Sequence, residues 1–153
     1  VAMQHFAINP LPRWRMSYEL VWEPDGVIKE FSGVVSAREF IEAVENVQGD
    51  YRFDDVRYVI NNFLAVTKHE LSEDVLTEVA VLQYGAYASN PNCRIVFVTT
   101  DEELAARIRN TPAVAGLISY QTEVFPTVST ARDWLEAQPQ LHLMCNVMGF
   151  RIN

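Results

Sequence analysis

Three histidines and two cysteines are the side chains best suited to metal binding or nucleophilic chemistry. His142 and Cys145 stand three residues apart, but zinc uses three or four protein ligands, and His5 and His69 lie far away in sequence. Cys93 could pair with His69 as nucleophile and base. However, Cys93 precedes the apolar run RIVFVT and so falls at the start of a strand, the wrong edge for an α/β site. We therefore predict no metal, no cofactor and two reduced thiols.

Motifs for other catalytic chemistry are also missing from the sequence. It contains no G-x-S-x-G nucleophile elbow, no G-x-G-x-x-G turn and no Walker loop. Carboxylates cluster on one predicted helix, at a spacing typical of a solvated face: Glu70, Glu73, Asp74 and Glu78. The sequence thus provides no catalytic residues, and we predict a protein that is not an enzyme.

Charge and hydropathy narrow the class of partner. The 153 residues carry a net charge of −8, and the 12 basic residues are scattered, which disfavours nucleic acids and anionic membranes. No run of about 18 apolar residues is present, and the first twenty residues do not have the pattern of a signal peptide. We expect a folded cytoplasmic domain.

The clearest local signal is a β-hairpin. Residues 18–23 and 27–33 are rich in strand formers, and Pro24-Asp25-Gly26 between them is a turn sequence. Ser36 and Glu39 then have the spacing of a capping box, which predicts the start of a helix.

After the hairpin, strand and helix patterns alternate. Strands are predicted at 57–63, 94–99 and 122–125, and helices at 72–88, from the Thr100–Glu103 capping-box spacing onward, at 113–119, and from Ser129 or Thr130 onward. Such alternation requires right-handed crossovers and mostly parallel strands. We predict an α/β fold with a mixed sheet of about five strands and four or five helices.

The chain divides into three parts. We expect an N-terminal extension over residues 1–16, one domain over residues 17–137, and an apolar tail over residues 138–153. The tail is too apolar to stay in water, so we expect it to pack on the domain or on a second copy of the chain, as a homodimer.

From Ser17 to Leu135 the chain resembles the SpoIIAA-like group, which shares its fold with STAS domains. The resemblance lies in EFSGVVS, RYVINNF, RIVFVT and EVFPTVSTARDWL. It implies a non-enzymatic regulator that binds a partner protein and that phosphorylation switches in some members. The phosphorylated Ser or Thr follows the third strand, at a helix amino end close to an Asp. The Asp-Ser-Ser/Thr-Gly sequence is absent here; Thr67 and Ser72 are the hydroxyls in that region, with Ser72 the candidate phosphoacceptor.

Polar residues should meet at the carboxyl edge of the predicted sheet, where α/β proteins bind ligands and partners. We expect this candidate site to contain Asn61, Asn62, Thr67, Ser72 and Thr100. Ser72 and Thr100 also have a purely structural explanation, as helix caps.

Two hypotheses of function follow. The first is a STAS-like regulatory or protein-interaction module, with an exposed apolar patch around Val75, Val79 and Tyr87. The alternative is a binder of a small apolar or lipid-like ligand, because groups with related architecture bind such molecules. Its cavity would be lined by aromatic side chains: Trp22, Phe31, Phe63, Tyr84 and Phe97.

Overall fold

The structure is a computed structural model that describes residues 17–111 and 122–139. The elements in these ranges are β1 (Tyr18–Trp22), β2 (Gly26–Val35), α1 (Ala37–Gln48), β3 (Tyr58–His69), α2 (Glu73–Tyr87), β4 (Arg94–Val98), α3 (Glu102–Asn110), β5 (Thr122–Phe125) and α4 (Val128–Ala137). The predicted α/β element order is confirmed. The predicted extension over 1–16, the helical piece over 113–119 and the tail from residue 140 onward lie outside the described residues.

The five strands form one sheet in the order β1-β2-β3-β4-β5. β1 pairs antiparallel with β2 through the predicted hairpin, and every later neighbour is parallel. Each parallel connection contains a helix. Because such crossovers are right-handed and all run in the same direction along the sheet, α1, α2 and α3 lie on one face.

Two glycines shape β2. A Cβ on Gly26 would lie 2.3 Å from the ring of Tyr58, so only glycine allows that ring to cross the start of the strand. Gly33 has a φ of +65°, next to a shift in the pairing register between β2 and β3. The bulge turns the end of β2 so that Val35 is again fully buried.

The core beneath α1–α3 centres on four phenylalanines. The ring centroids of Phe31 and Phe63 lie 4.8 Å apart, those of Phe31 and Phe40 5.4 Å, and those of Phe63 and Phe97 5.9 Å. In the described structure the predicted cavity is not found at Phe31, Phe63 and Phe97, because these rings and that of Phe40 pack against one another. Tyr84, assigned to the same cavity, is 46% exposed.

The opposite face of the sheet is covered by α4. Ala131 packs there against a strand cluster of Ile28, Ile60, Val96 and Val98. The Arg132 guanidinium donates to both carboxylate oxygens of Glu23, at 3.1 and 2.8 Å, and Tyr58 donates its hydroxyl to the same carboxylate. The hydrogen bond from Arg132 holds the pKa of Glu23 below its ordinary value. α4 is thereby fastened to the hairpin.

Helix caps confirm some predicted starts and correct others. Ser36 and Glu39 form the predicted capping box of α1. At α3, however, the N-cap is Asp101, whose carboxylate accepts the amide of Leu104 at 3.1 Å, so the predicted Thr100 capping box is wrong. Thr127 caps α4, and that helix begins one residue before Ser129.

No helix in the described ranges has both the length and the apolar character needed to cross a membrane.

Replacing Phe40 by Ala should lower the free energy of unfolding by about 3–5 kcal/mol, because it leaves a cavity among packed rings. Urea unfolding followed by circular dichroism measures this change. Tyr51→Ala is the matched control, because its ring is 86% exposed, and it should stay within about 0.5 kcal/mol of the parent. Equal losses in both variants would contradict the assignment of Phe40 to the core.

Candidate functional site

The five predicted site residues do not form one site. The sequence placed Asn61 and Asn62 at the end of their strand, but β3 continues for seven residues beyond Asn62, to His69. Apolar and polar residues do not alternate along this extension, so the sequence does not indicate a strand here. The extension pairs with the end of β2 through the backbone, with Ser32 opposite Ala65. Beside β4, however, the pairing ends at Asn62, opposite Val98, the last residue of β4. The two asparagines therefore lie at the carboxyl end of the β3–β4 pairing, while β3 itself continues beside β2.

Asn62 has a structural role on the face that α4 partly covers. Its side-chain amide donates to Glu30 Oε2 at 2.9 Å, and its oxygen accepts the backbone amide of Leu64 at 3.1 Å. Both polar ends of the side chain are therefore used within the sheet.

Asn61 points to the opposite face and into the core. It is 2% exposed, and its amide donates to the carbonyl of Val96 at 3.3 Å, but its Oδ1 is buried without a partner. Lys29 is its register partner on β2 and is 4% exposed. A buried amine thus lies beside a buried carboxamide, in the layer occupied by the phenylalanines.

The surroundings of Lys29 are neutral. Its Nζ lies 5.7 Å from the Phe40 ring centroid, at a cavity of about 20 Å³ that Gln48 and Gln83 also line. No described carboxylate forms an ion pair with it. Burial lowers the pKa of Lys29 to about 7, and burial raises the pKa of the nearby Cys93 thiol to about 12. At pH 7 the Cys93 thiol is therefore neutral, and about half of the Lys29 amines have lost their charge.

His69 and Asp101 meet at the carboxyl edge, although 32 residues separate them. His69 Nδ1 accepts the amide of Leu71 at 3.0 Å, which leaves the proton on Nε2, 3.4 Å from Asp101 Oδ2. The amide of Leu104, together with His69, holds the pKa of Asp101 below its ordinary value. Sequence reasoning missed this pair because His69 was assigned to a loop.

Ser72 and Thr100 flank that pair on the surface. Ser72 is exposed and caps α2, its hydroxyl accepting the amide of Val75 at 3.3 Å. Thr100 is exposed and lines a cleft of about 270 Å³ between α3 and β5, together with Asp101 and Phe125. Thr67 is also exposed, near the end of β3 and two residues before His69. Thr67, Ser72 and Thr100 therefore lie on the surface near the His69–Asp101 pair.

Arg107 joins the two helices that start at this edge. One nitrogen of its guanidinium donates to the carbonyl of Leu71 at 2.7 Å, and the other donates to Glu103 at 3.1 Å. α3 is thereby fixed to the short loop that precedes Ser72.

The rest of this edge is acidic. Exposed carboxylates surround Ser72 and Thr100: Glu70, Glu73, Asp74, Asp101, Glu102 and Glu103. Within the described ranges, no three potential metal ligands come together. The Cys93–His69 pair considered from the sequence does not form, since Cys93 is buried before β4 and His69 ends β3 at the opposite edge.

Known structures of similar shape support the assignment of the fold. The unphosphorylated anti-sigma factor antagonist SpoIIAA matches with a TM-score of 0.54 at 9% identity, over 79% of this chain and 99% of that one. A protein from Thermotoga maritima described as an anti-sigma factor antagonist matches with a TM-score of 0.51 at 13% identity, over 78% and 94% of the two chains. The fold is SpoIIAA-like. The sequence matches no protein-family model and no curated protein.

Ser72 lies at the amino end of the helix that follows the third strand. The resemblance implies a regulatory hydroxyl at a helix amino end after the third strand, close to an Asp. Ser72 begins α2 directly after β3, and Asp101 reaches the same edge through His69. The Asp-Ser-Ser/Thr-Gly sequence itself is absent from the chain.

The predicted apolar patch on α2 needs a correction. Val79 is 4% exposed and belongs to the core, because it faces the sheet. The exposed apolar side chains of α2 are Val81 and Tyr84 instead, at 51% and 46%. A single sequence leaves the orientation of this helix open, since apolar residues occur around much of its circumference.

Lys29 should give the protein a distinctive dependence of stability on pH. Between the folded pKa of about 7 and the ordinary 10.5, the unfolded chain binds more protons than the native one. The free energy of unfolding should therefore rise with pH, by at most about 1.4 kcal/mol per unit. From about pH 9 upward, the raised pKa of Cys93 acts in the opposite direction, so the useful window is pH 7 to 9.

Lys29→Met tests this expectation by urea unfolding at pH 7, 8 and 9. The free energy of unfolding of the variant should no longer rise with pH, and the variant should be more stable than the parent at pH 7. Lys68→Met is the matched control, because Lys68 is exposed and is the only other lysine of the chain. A Lys29→Met profile parallel to that of the parent would show that Lys29 is charged and solvated at pH 7.

Proposed function

We propose that the chain is a cytoplasmic, non-enzymatic interaction module of STAS-like type, which binds a partner protein through the carboxyl edge of its sheet. The observation that carries the proposal is the place of Ser72, exposed at the start of α2 directly after β3. Of the two similar structures reported above, one is of the anti-sigma factor antagonist SpoIIAA and the other is of a protein described as such an antagonist, a name that implies a protein target.

The charge of the edge indicates the kind of partner surface. Six exposed carboxylates surround Ser72 and Thr100, and Arg107 is already engaged by Leu71 and Glu103. A basic or amide-rich protein surface would complement this field, and opposite charges across an interface also accelerate association. We therefore expect a partner that presents Lys or Arg to this edge.

His69 and Cys93, the base and the nucleophile considered from the sequence, lie at opposite edges of the sheet, which supports a non-enzymatic role. Both ring nitrogens of His69 have partners, Leu71 and Asp101. The buried thiol of Cys93 keeps its proton at neutral pH, because burial raises its pKa to about 12, and a protonated thiol is a poor nucleophile.

Phosphorylation of Ser72 is the switch that fits this edge. A phosphoryl group would add a charge of about −1.5 to −2 beside Glu70 and Glu73. A phosphate oxygen can still accept amide hydrogen bonds at the helix amino end, so α2 would remain capped. The main consequence would be a more negative surface, which changes the affinity for the partner.

A photoreactive amino acid at position 100, introduced in the native cells, tests the proposed partner surface. It should give one discrete protein adduct, weakened by salt. The same amino acid at position 133 is the control, because Asp133 is exposed on α4, over the other face of the sheet. No adduct from position 100, or the same adducts from both positions, would refute the proposed surface.

Substitution of Ser72 tests the switch in the same assay. Asp and Asn are both good N-caps, so Ser72→Asp and Ser72→Asn differ mainly in charge. We expect Ser72→Asp to change the yield of the position-100 adduct severalfold and Ser72→Asn to preserve it. Equal yields from the two variants would leave Ser72 only its role as a helix cap.

A further inference from the structure

We propose that the amino edge of the sheet binds a small oxyanion between Arg57 and Arg94. This edge is opposite to the proposed partner surface. Arg57 and Arg94 line a cleft of about 210 Å³, together with Asp25, Asn92, Leu135 and Pro139. Drug-sized ligands occupy roughly 300–1,000 Å³, so the cleft fits a smaller molecule.

The backbone holds the two arginines together. Arg57 immediately precedes β3 and Arg94 begins β4, and the amide of Arg94 donates to the carbonyl of Arg57 at 3.0 Å. The amide of Arg57 donates in turn to the carbonyl of Asp25 at 2.6 Å, in the hairpin turn. Two positive charges are thus fixed at one edge of a chain whose net charge is −8.

Neither guanidinium forms an ion pair with any described carboxylate, including Asp25 in the same cleft. Arg52, Arg107 and Arg132, by contrast, each pair with an acid. Among the described residues, the Arg94 guanidinium donates one bond, from Nη2 to the carbonyl of Pro139 at 3.1 Å, and its Nε is buried with no partner. Burial lowers the pKa of Arg94, which indicates a cation that has lost water without gaining an anion.

The chemistry of the cleft defines the class of ligand. A guanidinium presents parallel N–H donors that match two oxygens of a carboxylate or a phosphoryl group. The buried Oδ1 of Asn92 lacks a partner and can only accept a hydrogen bond. Asp25 adds a second acceptor on the rim. The expected ligand is therefore an oxyanion that also carries a hydroxyl donor, such as a hydroxy acid or the monoanion of a phosphate.

NMR titration of the ¹⁵N-labelled full chain tests the site with inorganic phosphate and, separately, with glycolate. Sodium chloride keeps the ionic strength constant. We expect saturable shifts of the Arg94 Nε–Hε signal and of the backbone amides of Asn92 and Arg94. The Nε–Hε signal of Arg132 should not move, because that guanidinium is bound to Glu23. Saturation by phosphate alone indicates a phosphoryl ligand, and saturation by glycolate alone indicates a carboxylate.

Arg57→Gln should weaken the apparent affinity about tenfold or more, because it removes one charged donor. Arg57 is exposed, so the variant should fold, and its dispersed NMR spectrum checks this. Arg38→Gln is the matched control, since Arg38 is exposed on α1 and away from the cleft.

Shifts that grow linearly with phosphate and glycolate alike, or equal weakening in Arg38→Gln, would overturn the site. Because the two edges are separate, adduct formation from position 100 does not depend on this result. Failure of the anion site and failure of the proposed function are thus distinguishable.

Discussion

The sequential order of the strands is the constraint from which the rest of the architecture follows. Each parallel strand is added beside the previous one, and right-handed crossovers then require α1, α2 and α3 to lie on the same face. The other face is left to α4, the helix that follows the last strand. This explains the ion pair of Arg132 with Glu23, which links the end of the fold to its first hairpin across the sheet.

Because three helices cover one face of the sheet and one helix covers the other, polar strand residues lose more contact with water on the first face. Beneath three helices, most strand residues that point inward are buried, and Lys29 and Asn61 are among them. Asn62, one position later, points to the face covered by α4 alone, where its amide donates a hydrogen bond to Glu30. Alternation along β3 therefore places one asparagine of the pair in a packed core and the other in a hydrogen-bonded surface pair.

Where local signals were strong, the sequence predicted the fold well. The Pro24-Asp25-Gly26 turn, the Ser36–Glu39 capping box and the apolar run of β4 each identified their element. Prediction failed where contacts between distant segments determine the secondary structure. The end of β3 is strand because β2 offers backbone partners. Its residues after Phe63 are three apolar and then three polar ones, without the alternation that signals a strand.

The candidate site was less predictable than the fold because it joins distant residues. Ser72 could be identified as a helix start from its own neighbours. The link from His69 to Asp101 depends on how far β3 extends and on which residue caps α3, and both were predicted wrongly. The pairing of Lys29 with Asn61 likewise requires the strand register, which no local pattern in this chain specifies.

The Ser72 hydroxyl caps α2, and this role explains how a change at Ser72 could act as a switch without destabilising the domain. Its bond to the amide of Val75 is long, at 3.3 Å, and the helix start also has its acidic first turn. A phosphoryl group could take over that bond, since free amides at a helix start bind anions well. The core contacts of α2 are made by Leu76 and Val79, on the buried side of the helix. A change of charge at Ser72 therefore alters the surface that a partner meets and leaves the packing beneath it intact.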